Sequence, residues 1–193
     1  SPNVIGEGTI DTGASWQIDE DGLLLDTGTT SGNQIEVFRR RIQDKAWLTD
    51  ATWDKQRLWK CKGWLAIGET TVAELVFGDF VGPSNYAGFF FDASTGICKG
   101  GVSDGVSSDE VELFSFPTDI DITEFHLYEI RHYPAQKVEF YVDGVLKGTI
   151  TSVIPSGVDG AGYVVFCAIR TGTSDTNLPY QMRLVELLFI QYS

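Results

Sequence analysis

The chain has 193 residues, 42% hydrophobic and 12% aromatic, which suits one domain with a substantial core. Its net charge is −13, from 27 acidic and 14 basic residues, which disfavours nucleic acid and anionic lipid as partners. No run approaches the roughly 18 apolar residues of a membrane span, and long strings of Ala, Leu, Glu and Lys are missing, so no helix of normal length is predicted.

Short strands and turns follow along the chain. Asp19-Glu20-Asp21-Gly22 reads as a turn opening a strand over residues 22–26, and a second strand is predicted over 34–42. The only compact basic cluster, Arg39-Arg40-Arg41, lies on that second strand, so Arg40 points opposite to its neighbours and the trio reads as a solvated sheet face. Trp47 and Trp53 fall in the loop that follows, which has room for one helical turn and is expected to leave at least one indole accessible. A long strand is predicted over 57–67. There Trp59 shares a parity with Cys61 and Leu65, whereas Trp64 shares one with Lys60 and Lys62 and is expected on the wetter face unless Gly63 introduces a bulge. Further strands are predicted over 72–77, 87–92 and 97–103, the last two forming a hairpin over Ala93-Ser94-Thr95-Gly96, and a short one over 110–114.

The segment 125–150, FHLYEIRHYPAQKVEFYVDGVLKGTI, reads as three antiparallel strands. Tyr128, Ile130 and His132 alternate with Glu129 and Arg131; Pro134 breaks the pattern, and Val138, Phe140 and Val142 resume it. Asp143-Gly144 suits the two positive-φ positions of a type I′ hairpin. Centring the first turn on Ala135 pairs Arg131 with Glu139 and Glu129 with Tyr141, on the face opposite Ile130 and Phe140. Strands over 162–170 and 181–192 complete the set. The last is apolar at both parities, which predicts a central strand covered on each side. Glu186 is expected there in apolar company, paired with a base such as Arg170 or Arg41. About a dozen strands at this spacing predict an all-β, two-sheet antiparallel β-sandwich formed by residues 1–193 as one domain.

A strand ending in FYVDG, followed by a short apolar strand and preceded by Phe125-His126-Leu127-Tyr128-Glu129-Ile130, resembles the concanavalin A-like lectin/glucanase superfamily and its laminin-G-like jelly rolls. Residues 88–104 and the closing strand resemble it more weakly. The resemblance implies a jelly roll with one concave face, and it names no function, because this fold hosts lectins, hydrolases, lyases, adhesion modules and virion proteins.

Hydrolytic members of that superfamily carry a Glu, an aliphatic residue, an Asp, an aliphatic residue and a second Glu on one strand. Asp109-Glu110-Val111-Glu112-Leu113 lacks that order and reads as an acidic edge strand. The only histidines, His126 and His132, accompany no evident nucleophile, no zinc-type spacing occurs, and no glycine-rich phosphate loop opens a helix. No cofactor is required. Ca²⁺ is a better candidate than any transition metal, because Asp19-Glu20-Asp21 and Asp119-Ile120-Asp121 place alternating carboxylates in loops and many relatives of the fold bind it; Asp119 and Asp121 are the pair of interest. Cys61, Cys98 and Cys167 all fall in strand-like segments and read as core thiols, with one bridge plus one free thiol as the alternative.

The expected function is a non-catalytic carbohydrate-recognition or adhesion module binding glycan on its concave face or loops. Trp64, Arg131, Glu139, Tyr141 and Trp53 are the candidate ligand-binding residues. The alternative is a virion decoration or fibre protein that uses the jelly roll as a rigid unit, with a second copy of the chain in a homo-oligomer among its expected partners; a glycoside hydrolase or polysaccharide lyase ranks third. Expected partners are a glycan or a virion or cell-surface protein, with no nucleic acid and no membrane insertion, and an extracellular or virion-surface location.

Overall fold

The computed structural model describes residues 5–28, 30, 35–40, 52–67, 72–78, 85–157, 165–170 and 181–192. The strands are β1 (Ile5–Ile10), β2 (Ser15–Asp19), β3 (Gly22–Asp26), β4 (Ile35–Arg40), β5 (Arg57–Ala66), β6 (Val72–Gly78) and β7 (Asn85–Asp92). They continue with β8 (Ile97–Asp104), β9 (Ser108–Ser115), β10 (His126–Tyr133), β11 (Lys137–Val142), β12 (Val145–Ile150), β13 (Val165–Arg170) and β14 (Gln181–Gln191). Sheet I has the order β1-β4-β13-β6-β7-β8-β9 and sheet II the order β12-β11-β10-β5-β14-β3-β2. All the pairings in these ladders are antiparallel, as the period-2 alternation predicts.

The core lies between the sheets and is closed by rings set edge to face. Phe89 of sheet I meets Tyr128 and Phe140 of sheet II at centroid separations of 5.3 and 5.5 Å, and Phe91 meets Tyr128 at 5.5 Å. Gly100 faces Phe140 so closely that a Cβ there would lie 2.7 Å from the ring. Cys61 and Cys98 are buried, unbridged thiols in this core, and burial pushes the Cys98 thiol well up. Cys167 lies outside the described side chains.

The meander over 125–150 follows its sequence pattern closely. Arg131 stands opposite Glu139 and Glu129 opposite Tyr141. Ala135 has φ 52°, and Asp143 and Gly144 have φ 51° and 78°, as a type I′ turn requires.

Two expectations are corrected. β14 is central, yet its outer face is not covered: Val185 and Leu188 are 42% and 45% exposed. The cause is a bulge between Leu184 and Glu186, which turns Met182 and Leu184 inward but sends Glu186 outward, exposed and opposite Lys62. Glu186 is therefore not in apolar company. The pattern also missed β1 and β2: IGEGTI is interrupted by glycines, and SWQID is almost entirely exposed, so neither alternates cleanly. No helix occurs among the described residues; Trp53-Asp54-Lys55 makes only a turn. Trp47 and Arg41 lie outside the described residues, as do the side chains of Arg39, Arg40 and Arg170.

Candidate functional site

The inward set on β5 is Arg57, Trp59, Cys61 and Leu65, each 1% exposed or less, so Lys60, Lys62 and Trp64 project from the outer face of sheet II. β5 itself carries no bulge; the extra residue is in β14, at Val185. Gly63 makes room for it. A Cβ on Gly63 would collide with the Arg183 carbonyl oxygen and lie 2.7 Å from Leu184 Cδ2. Gly63→Ala is therefore expected to cost about 1–3 kcal/mol of stability, read by denaturant unfolding. An unchanged midpoint would show that the bulge has slack.

The bulge and its neighbours leave a depression of about 440 Å³ lined by Asp21, Lys62, Trp64, Phe125, Arg183 and Val185. Each wall is held. Arg183 donates to both oxygens of Asp19, at 2.7 and 3.2 Å, and these bonds hold the Asp19 carboxyl below its ordinary range. Phe125 follows a turn anchored by buried Ile122, whose carbonyl accepts from Leu65 N–H at 2.8 Å, one residue from Trp64. His126 then clamps the turn: Nδ1 lies 2.6 Å from Asp143 Oδ2 and Nε2 2.9 Å from the Asp121 carbonyl oxygen. Phe125 is 44% exposed, so the depression pairs two aromatic groups with polar groups of both signs. Sequence reasoning found Trp64 but missed Phe125, Arg183, Asp21 and Val185. Gly63 was the available signal, although the bulge it permits is in the partner strand.

Arg131, Glu139 and Tyr141 share this outer face, as the register predicts. They are engaged mostly with one another and their neighbours. Glu129 is 3% and Glu139 7% exposed despite pointing away from the core. Glu129 accepts from Arg131 Nε and pairs with Lys60 Nζ at 2.5 Å. Glu139 pairs with Lys137 Nζ at 2.6 Å and accepts from Tyr141 Oη at 2.8 Å. The Arg131 guanidinium lies 4.2 Å from the Tyr141 ring centroid. Burial alone would raise the Glu139 pKa, but the bonds from Lys137 and Tyr141 outweigh it and hold the carboxyl low. Trp64 and Tyr141 are four residues and two strands apart, roughly 16 Å, so the predicted residues share a face but not a pocket.

Trp53 is not accessible. It is 0% exposed, with its ring against His132 and beneath Arg57, because the turn that carries it folds inward over one end of the sandwich. Asp119 Oδ2 accepts from Ser115 N–H at 2.9 Å, and Asp121 Oδ1 accepts from Thr123 N–H and Oγ1 at 3.0 and 2.6 Å; each caps its own turn. Among the described residues no three His, Cys, Asp or Glu side chains converge as metal ligands. Glu110 and Glu112 lie on β9, an edge strand of sheet I, and Glu110 pairs with Lys99 at 2.9 Å.

No family model matches the sequence, and no curated protein matches it. Solved structures do match the shape. A Bacillus licheniformis β-glucanase superposes with a TM-score of 0.67 at 13% identity, over 100% of this chain and 93% of its own. The carbohydrate-binding module CBM66 of Bacillus subtilis gives 0.56 at 10%, covering 96% and 94%. Botulinum neurotoxin type C gives 0.63 at 9% over 97% of this chain. The fold is a concanavalin A-like jelly roll. The resemblance in the FYVDG meander implied it, and at these identities the likeness carries the fold alone. The jelly roll spans 42% of the length of the neurotoxin chain that it matches.

Proposed function

We propose that this jelly roll is a non-catalytic recognition module that seats a sugar ring against Trp64 and Phe125 on the outer face of sheet II. The observation that carries the reading is the depression itself: a half-buried indole and an exposed phenyl ring offer apolar faces, while Lys62, Arg183 and Asp21 offer a donor set and an acceptor around them. Sugars present one apolar face and a rim of hydroxyls, which that combination fits. Carbohydrate is also the ligand class named for the structural neighbours: one is a carbohydrate-binding module, and botulinum neurotoxin type C is described as depending on two ganglioside molecules.

The carboxylates of the described strands support binding without hydrolysis. A retaining glycosidase needs two carboxyl groups about 5–5.5 Å apart, one of them kept protonated as the acid. Glu139 is held low by Lys137 and Tyr141, the opposite of what a general acid requires. Glu129 is tied to Arg131 and Lys60, and Glu110 to Lys99.

A glycan array on purified, reduced protein, followed by titration calorimetry on the best saccharide, tests the reading. Trp64→Ala is expected to weaken binding at least about 10-fold, or about 1.4 kcal/mol, and Tyr141→Ala to leave it within about twofold. Equal losses in both variants would move the site to the charged cluster. A second reading, the assembly unit of a larger particle, draws on the apolar side chains Val185, Leu188 and Phe125 exposed on the same face. Absence of binding to every glycan, together with a defined oligomer by light scattering, would put that reading first.

A further inference from the structure

His126 opens β10 between the turn over residues 121–125 and the β11–β12 hairpin turn, and both of its ring nitrogens face acceptors. Nε2 lies 2.9 Å from the Asp121 carbonyl oxygen, which has no proton to give, so Nε2 carries one. Nδ1 lies 2.6 Å from Asp143 Oδ2. Burial alone would raise the Asp143 carboxyl, but the Leu127 N–H at 2.8 Å, the His126 ring and Lys147 outweigh it and hold it low. Asp143 is therefore ionised at neutral pH, and the proton shared with Nδ1 belongs to the ring. A neutral imidazole has a single N–H and serves only one of these two acceptors. Only the imidazolium satisfies both.

The charged groups on the elements around the ring are Asp121 and Glu124 in its turn, Asp143 and Lys147 on the hairpin, and Lys62 on β5, turned outward. β5 sets Gly63 opposite His126, and Tyr128 lies edge-on at 6.4 Å. The Asp121 carboxylate is spent on Thr123, as the cap of its turn, and offers the ring only its carbonyl. Two anchors thus hold the segment that carries Phe125. One is the Ile122 carbonyl on Leu65 N–H, and the other is His126, the residue next to Phe125. Loss of a His126 bond leaves the first anchor alone, and Phe125 can then swing away from Trp64.

We propose that doubly protonated His126 is the positioning residue of the Trp64–Phe125 depression: it fixes Phe125 in the wall, and loss of its second proton opens that wall. The ligand is that of the Trp64 reading, on which the proposal rests; the clamp itself is built from residues outside the depression. The clamp is complete while the ring is charged and Asp143 is ionised. It fails as the pH rises and the ring gives up a proton, and at the acid end only when the pH falls through the lowered range of Asp143. Saccharide affinity therefore declines with rising pH, although the group that titrates does not line the depression.

NMR of ¹⁵N-labelled protein between about pH 5 and 9, with titration calorimetry against laminarihexaose and cellohexaose, tests it; neither saccharide changes charge with pH. The wild type is compared with His126→Gln and Asp143→Asn, each checked for a cooperative thermal transition. The ring is expected to carry protons on both nitrogens at the acid end, and the Trp64 indole N–H signal to shift with the midpoint at which one is lost. Across that midpoint affinity falls about 10-fold, the low end of what a hydrogen bond to a charged group contributes. His126→Gln flattens both curves, and Asp143→Asn moves both to lower pH because the ring loses its anion. A merely structural histidine gives neither the shared midpoint nor its displacement. A Trp64 signal indifferent to the ring's titration would overturn the proposal and leave the Trp64 reading standing if saccharide binds, as would an affinity that stays flat across the midpoint. A signal that follows the ring in a protein that binds neither saccharide would uphold the clamp and overturn the Trp64 reading.

Discussion

Trp53→Ala is expected to lower the unfolding free energy by about 3–5 kcal/mol, the cost of removing a fully buried indole. For a chain of this length that is a fall of roughly 6–20 °C in Tm. Trp53 is 0% exposed, with His132 edge-on at 5.0 Å and the Arg57 guanidinium 4.4 Å from its ring centroid. Its backbone N–H donates to the Gly157 carbonyl at 2.8 Å, Asp54 Oδ1 accepts from Gly157 N–H at 2.9 Å, and Arg57 Nε donates to the Thr52 carbonyl at 2.9 Å. The truncation therefore opens a cavity and takes the π face from a cation that is itself 1% exposed. Differential scanning calorimetry checks it. A loss under about 1 kcal/mol would mean that the site collapses onto the smaller side chain. Trp64→Ala, on the outer face, should sit near that lower figure.

Stability should also fall as the pH drops from 6.5 to 4, through His132. Burial, assisted by Arg57, lowers its pKa from 6.5 to about 4. The imidazole is 1% exposed, with Nε2 3.1 Å from the Pro155 carbonyl oxygen and Nδ1 3.3 Å from that of Lys55. The folded chain keeps the ring neutral in this window while the unfolded chain protonates it. The unfolded state then binds more protons, and stability declines with falling pH until the folded ring is charged near pH 4. Above pH 6.5 the effect vanishes. The integrated loss is about 3 kcal/mol, at 1.36 kcal/mol per pKa unit. His132→Gln removes this slope, and subtracting its stability curve from that of the wild type cancels the carboxylates common to both. A flat difference curve between pH 6.5 and 4 would show that the buried ring is protonated at no cost.

Local alternation made the meander legible, because each residue of β10 and β11 declares its face and the two turns fix the register. Arg131 opposite Glu139 was readable for that reason. The depression was not, because it depends on where β14 gains a residue against β5. A bulge is a property of two strands distant in sequence, and Val185 carries no local mark of it. Trp53 misled for a related reason: a loop tryptophan beside Asp50, Asp54 and Lys55 reads as wet until the turn is seen folding over Arg57 and His132.

Another chain's strand can attach only at the outermost strands of a sheet, which are β9 and β12 on one flank, packed against each other across the sandwich. Gly148 on β12 sits against Leu113 and Val111 of β9, and a Cβ there would lie 2.5 Å from Leu113 Cδ2. The two outermost strands on that flank thus back onto each other and close that side of the core. On the opposite flank the outermost strands are β1 and β2. On β2, Ile18 is 60% exposed and would be the adhesive spot, yet Asp19, Glu20 and Asp21 follow it directly. With Asp19 paired to Arg183, Glu20 and Asp21 keep that rim negative and oppose fibril-like stacking by repelling the same charges on an incoming copy.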